Sequence, residues 1–167
     1  MKTILFSLLF FLITLSSFAQ SKSKKELKEE TRKQQIARTD SLVNSRAFVF
    51  VASTVLPQVG RSMHFAGSSY TVKVVNDSVF CSLPFYGRAY GSSSYGGDGG
   101  MEFIGKADDM TLLKKRKSYL LKCSVKGESD TYKLFFNIGF EGSASLAISS
   151  TNRSSISYHG DIDVISK

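Results

Sequence analysis

The sequence predicts an all-β domain, an antiparallel meander forming a sandwich or open barrel, preceded by one polar N-terminal helix. Three observations predict it. From Ala47 onward apolar residues recur with a period of two, as on a strand with one dry face. Short β-branched and aromatic runs follow one another at close spacing, with Gly, Asn, Asp and Ser between them. Ahead of them, Lys22 to Asn44 is dominated by helix formers and is polar on nearly every side.

The first segment reads as an address. Met1-Lys2 is a short basic start, and Ile4 to Leu15 is apolar except for Ser7 and Thr14. Ser17-Phe18-Ala19 puts small residues at the positions a signal peptidase reads, which predicts cleavage before Gln20. The apolar run is shorter than the roughly 20 residues a membrane helix needs. No cysteine follows it for lipid attachment. The expected organisation is therefore a signal peptide at 1–19, a charged helical leader at 20–46 and a single β domain at 47–167. The mature chain is expected to be exported and soluble, periplasmic or extracellular, with no transmembrane segment.

Charge is unevenly placed. The formal charge is +8, and Ser21 to Arg46 contributes eight Lys or Arg against four Asp or Glu. Export and this concentration in the leader argue against nucleic acid as a partner. An anionic surface, such as a lipid head group or an anionic glycan, fits better. Within the leader only Ile36, Leu42 and Val43 offer a docking stripe, so the last turns are expected to pack on the domain at Ile36 and Val43.

The strands follow in order. Ala47 to Ala52 is β-branched and aromatic, and Val55 to Gly60 with Pro57 reads as a turn or irregular edge. Ser69 to Val75 and Ser78 to Leu83 flank Asn76-Asp77, the strongest hairpin signal in the chain. Met101 to Ile104 and Asp108 to Lys117 read as two further strands. Tyr119 to Val125 pairs with Thr131 to Ile138, and Ser143 to Ser149, Ser155 to Tyr158 and Ile162 to Ile165 close the chain.

Cys81 shares a strand face with Val79 and Leu83, and Cys123 shares one with Leu121 and Val125. Both are therefore expected inside. In an oxidising compartment they either bridge, if their Cα atoms approach within about 7 Å, or remain reduced and pack as small hydrophobes.

No catalytic constellation is visible. Neither His64 nor His159 has a neighbour at i+2 or i+4 that would build a transition-metal site, and no G-x-S-x-G elbow is present. Asp98 in the glycine run 96–100 invites a calcium reading, but the loop lacks the repeated acidic ligands calcium needs. That run is followed by no G-K-[ST] and no helix, so it does not read as a phosphate cradle. No catalytic residue, metal or cofactor is expected.

The candidate site is Leu83-Pro84-Phe85-Tyr86-Gly87-Arg88-Ala89-Tyr90, which runs into the Gly/Ser tract 91–100. Pro84 stops ladder donation, Tyr86 and Tyr90 bring aromatic faces with hydroxyls, and Arg88 brings a planar fork of donors. Downstream, Asn152-Arg153 and Tyr158 repeat the same chemistry. Two readings stand. In one, Tyr86, Arg88, Tyr90, Arg153 and Tyr158 line a binding groove, with each guanidinium on or beside a tyrosine. In the other, they form a packed corner that buttresses the Gly/Ser loop.

With these motifs, L-P-F-Y-G-R-A-Y and N-R-S-S-I-S-Y-H-G, the chain resembles the exported Bacteroidetes family called domain of unknown function 4251. Phe48 to Phe50, Pro57, Tyr70, Gly99-Gly100 and Phe103 belong to the resemblance, which covers Ala47 to Ile165. It implies a periplasmic or surface β domain without assigned activity, and it brings no catalytic residues. The expected function is a non-catalytic binding or interaction module of the cell envelope, with an anionic glycan, lipid head group or envelope protein as partner. The alternatives are a structural or assembly accessory of an envelope complex, docked through the helix, and a hydrolase whose serine or carboxylate chemistry is not visible.

Overall fold

The computed structural model describes residues 23–67, 69–90, 100–128 and 130–165. The segment 1–19 expected as a signal peptide, the expected cleavage position before Gln20 and the tract 91–99 with Asp98 lie outside the described residues. None of the described helices is long and apolar enough to cross a membrane.

Among the described residues one helix, α1 (Lys24–Asn44), precedes nine strands. They are β1 (Ala47–Pro57), β2 (Met63–His64), β3 (Thr71–Val75), β4 (Ser78–Pro84), β5 (Gly100–Lys114), β6 (Ser118–Lys126), β7 (Thr131–Gly139), β8 (Ser143–Ser150) and β9 (Ile156–Asp163). The chain divides into two units between residues 33 and 34.

In the first unit α1 starts at a reciprocal capping box. Ser23 Oγ accepts from the Glu26 N–H at 3.3 Å, and Glu26 Oε2 accepts from the Ser23 N–H at 2.9 Å. Glu29 and Lys33 pair at helical spacing, 3.3 Å apart.

The second unit is the barrel together with the later turns of α1. The expected antiparallel all-β meander is present, and the sheet closes on itself. β1 pairs with β3 along one edge and with β9 along the other, so eight strands form a barrel and β2 attaches to the outer half of β1. Eight strands enclose a space that side chains can fill. Phe136 packs edge-on against Phe48 and Phe50 at 5.8 and 6.0 Å, and Leu134, Leu146, Ile148 and Tyr158 are fully buried around them.

Two expected strand breaks are strands in the structure, for one shared reason. Gly105 continues β5, where a Cβ would stand 2.7 Å from Val125 Cγ1 and 2.9 Å from the Lys126 carbonyl oxygen. Gly160 continues β9, where a Cβ would stand 1.9 Å from the Val51 carbonyl oxygen. Both glycines permit close backbone approach and neither makes a turn. β1 likewise runs on to Pro57, which closes the strand instead of turning it.

Residues 34–44 of α1 cover the barrel end that holds the β7–β8 turn. Ile36, Thr39, Asp40 and Val43, spaced i, i+3, i+4 and i+7, face the barrel; Thr39 and Val43 are buried and Ile36 half-buried. Arg46 leaves the helix in the left-handed region (φ 51°). Its carbonyl accepts from the Asn76 N–H at 2.8 Å, tying the helix exit to the β3–β4 turn.

Candidate functional site

The far end of the barrel, opposite the β7–β8 turn, brings the two sequence motifs together. β4 ends at Pro84, whose carbonyl accepts a 2.7 Å hydrogen bond from the Tyr158 hydroxyl. Beyond it the chain pairs with the loop after β8. Ala89 bridges Arg153, the Tyr90 N–H donates to the Asn152 carbonyl at 2.8 Å, and the Ser154 N–H donates to the Arg88 carbonyl at 2.9 Å. The Arg88 N–H donates to Ser154 Oγ at 3.0 Å. The crossing is tight at Gly87, where a Cβ would lie 2.4 Å from Ser154 Oγ and 2.5 Å from the Phe85 ring, so that those side chains would have to shift.

Asp130 fixes the other side of the same loop. Its carboxylate accepts from the N–H groups of Thr131, Thr151 and Asn152 at 2.8, 3.1 and 3.3 Å. This role was not read from the sequence, although an aspartate just before a strand is the expected turn chemistry.

The five predicted site residues divide into two sets. Arg153 and Tyr158 are structural in their contacts. Arg153 Nη1 donates to the Gly100 carbonyl at 2.9 Å, and its guanidinium sits 5.1 Å from the centre of the Phe85 ring, a phenylalanine where a tyrosine was expected. Tyr158 is fully buried, and burial holds its hydroxyl pKa well above the ordinary value. It therefore does not share an open pocket with the arginines.

Tyr86, Arg88 and Tyr90 form the second set. Tyr86 is 44 % exposed and Tyr90 69 %, and with Arg88, Gln58, Val59 and Ser154 they line a groove of about 320 Å³. Among the described residues the Arg88 guanidinium has no hydrogen-bond or ion-pair partner; the backbone alone is tied down. A neighbouring groove of about 310 Å³ runs from Tyr86 past Phe85 and Tyr70 to Glu102.

The cysteines are free and buried, so the bridged alternative is not the one found. β5 lies between their strands, β4 and β6. Burial raises the Cys81 thiol strongly and pushes the Cys123 thiol up to about 11. Neither is poised to act as a thiolate near neutral pH.

At the α1 end, Asp40 Oδ1 accepts from the Tyr119 hydroxyl and from Lys114 Nζ, the latter at 3.1 Å. Lys114 Nζ also lies 5.2 Å from the Tyr119 ring centre and 5.8 Å from that of Phe140. Bonds from Tyr119 and then Lys114 lower the Asp40 pKa, bonds to Tyr119 and then Asp40 raise that of Lys114, and burial first of all raises that of Tyr119. Every shift moves its group away from neutrality, so the cluster fastens the helix and is not tuned to exchange protons.

Phe80 and Ile104 were also missed. Both are exposed on the outer face of the sheet, and they are cross-strand partners. The signal was legible: each is a large apolar residue on the polar phase of its strand.

Comparisons with known proteins follow the same outline. A family model described as "Domain of unknown function (DUF4251)" matches residues 30–162, so the match takes in the later turns of α1 as well as the barrel. The crystal structure of a DUF4251 family protein from Bacteroides eggerthii DSM 20697 superposes with a TM-score of 0.62 at 15 % identity. The superposition covers 78 % of this chain and 88 % of that one, and at this identity it speaks for the fold alone. No curated protein matches the chain.

Proposed function

The chain belongs to the family of domain of unknown function 4251, and we propose that it serves as a non-catalytic binding module of the cell envelope whose groove at Tyr86, Arg88 and Tyr90 takes an anionic group. Export is part of the proposal and rests on the N-terminal segment 1–19. One observation carries the binding reading. Arg88 is exposed between two exposed tyrosines, and among the described residues the fold uses its main chain but not its guanidinium. An arginine fork beside flat aromatic faces suits a carboxylate or phosphate attached to a ring.

The assembly-accessory alternative needs an exposed apolar stripe at Ile36, Leu42 and Val43. Val43 is buried and the other two are half-buried, so the barrel already uses that stripe. The hydrolase alternative needs groups tuned toward neutrality in one cleft. The shifted groups of the helix-end cluster, Asp40, Lys114 and Tyr119, are tuned away from it.

The experiment is a titration of the purified protein with oligogalacturonate and, separately, with vesicles containing phosphatidylglycerol. Binding to the first alone identifies an anionic glycan, and binding to the second alone a lipid head group. In either case Arg88→Ala should weaken binding about tenfold, the scale of one charge-assisted contact, and leave the melting temperature unchanged. A large drop in melting temperature with Arg88→Lys, or binding to neither probe, would sink the proposal.

A further inference from the structure

The β5–β6 hairpin ends in a run of cations, Lys114-Lys115-Arg116-Lys117, all of them exposed. The Lys115 N–H donates to the Ser118 carbonyl at 2.8 Å, which closes the turn and holds the tip in one shape. Lys114 turns back to Asp40 and belongs to the helix attachment. Lys115, Arg116 and Lys117 make no ion pair among the described residues. Between Asp109 and Glu128 the sequence holds six Lys or Arg and no acidic residue.

The outer wall behind this tip is apolar where the pleat should be polar. Leu113 is 48 % exposed and stands opposite half-buried Leu120 across the β5–β6 ladder. Two residues along the same face of β6, Lys122 stands opposite Phe135, which is 38 % exposed. Lys122 Nζ lies 5.8 Å from the Phe135 ring centre, so its stem runs along the ring. Alternate residues on a strand and their cross-strand partners share a face. Leu113, Leu120 and Phe135 therefore make one patch, with the cationic tip at one end and Lys122 beside it. The core does not use them, since Tyr119, Leu121, Leu134 and Phe136 fill the inner phase. The carboxylates stand at the margins: Asp108 opposite Ser124, beyond Lys122, and Glu141 in the β7–β8 turn.

The pairing of charge and apolar surface narrows the occupant. A soluble polyanion would answer the cations and leave Leu113 and Phe135 in water. A bilayer with anionic lipids answers both, because phosphates lie at its surface and hydrocarbon begins a few ångströms below. A closed hairpin tip on a barrel meets such a surface with little ordering cost.

We propose that this face docks on a bilayer surface that carries anionic phospholipid. Lys115, Arg116 and Lys117 contact the phosphates, and Leu113 and Phe135 enter the boundary between head groups and acyl chains. Lys122 lies along Phe135 and keeps its ammonium at the phosphate level. The contact is peripheral, as none of the described helices is long and apolar enough to cross a membrane. The Arg88 groove sits at the other end of the barrel, and the inference stands without it.

The test uses the purified protein carrying Arg88→Ala, so that the groove is silent. At low salt it should bind vesicles of phosphatidylcholine mixed with phosphatidylglycerol and not vesicles of phosphatidylcholine alone. Combining Lys115→Gln, Arg116→Gln and Lys117→Gln should weaken binding about a hundredfold, at about fivefold for each cation near an anionic surface. Combining Leu113→Ser with Phe135→Ser leaves the charge unchanged and should weaken it at least about tenfold. The chain has no tryptophan, so Leu113→Trp supplies a single reporter whose emission should shift to the blue on the anionic vesicles. Tyr86→Trp, at the other end, should show no shift. All the altered side chains are exposed, and an unchanged melting temperature reports an intact fold. No binding to the anionic vesicles, equal binding to phosphatidylcholine alone, or a blue shift at Tyr86→Trp but not at Leu113→Trp would each overturn the proposal. So would full binding by the Leu113 and Phe135 double variant, which would assign the cations to a soluble polyanion or an acidic protein.

Discussion

At the barrel end covered by Gln34–Asn44, charged groups find partners within the fold: Asp40 with Tyr119 and Lys114, Arg38 with Asp163. At the opposite end, the chain that follows β4 is fastened by main-chain bonds to Asn152 and Ser154, and Tyr86, Arg88 and Tyr90 are left exposed. The difference teaches how one small barrel separates stability from recognition. Where side chains make the attachment, substituting them loosens the fold. Where the backbone makes it, side chains are available for a ligand. The motif itself contains both cases, since Arg153 clamps Gly100 and Phe85 while Arg88 clamps nothing among the described residues.

Five substitutions test this comparison, in descending order of effect. Gly160→Ala breaks it outright, because Gly160 lies on the β1–β9 seam that joins both ends. Its new methyl would meet the Val51 carbonyl, and we expect a loss of about 3 kcal/mol in urea unfolding. A variant as stable as the parent would show that β1 and β9 are not so tightly apposed.

Arg153→Ala asks whether a motif arginine can be purely structural. Losing one hydrogen bond and the ring contact should cost about 2 kcal/mol. Unchanged stability would return Arg153 to the ligand-binding set.

Tyr119→Phe removes one hydroxyl at the helix end and should cost about 1 kcal/mol. Asp40→Asn tests the same attachment through pH. The folded pKa of Asp40 is depressed, chiefly by its bond from Tyr119. Its contribution is therefore present above the ordinary aspartate value of about 3.9 and lost as pH falls through the lower folded value. The parent should melt higher than Asp40→Asn near neutrality, and the gap should close in acid below about pH 4. A gap independent of pH would remove the carboxylate from the explanation.

Arg88→Ala should change stability by less than about 0.5 kcal/mol, as for an exposed side chain that has no partner among the described residues. A loss as large as that of Arg153→Ala would erase the contrast between the two arginines.

Much of this was legible in the residues. The period-two runs gave the strands, and Asn76-Asp77 gave the hairpin, with Asn76 in the left-handed region (φ 53°). Ile36 and Val43 marked the helix face that meets the barrel. Other features were not legible because they depend on what lies across the sheet. Gly105 and Gly160 look like strand breakers until Lys126 and Val51 are placed beside them. Tyr158 looks like a third site tyrosine until Pro84 is found above its hydroxyl, and Arg153 like a second ligand arginine until Gly100 and Phe85 stand within its reach.

The sequence alone determined the class of the protein: alternating apolar residues specify half-buried strands wherever they occur, and a polar run of helix formers specifies a helix, because both periods are local properties of the backbone. Only the tertiary structure decided that the sheet closes, that Cys81 and Cys123 are free, and that of five candidate residues three face outward. Those outcomes turn on β1 meeting β9 and on the loop after β8 meeting the chain that follows β4. Such contacts join residues distant in the chain, and no local period encodes them.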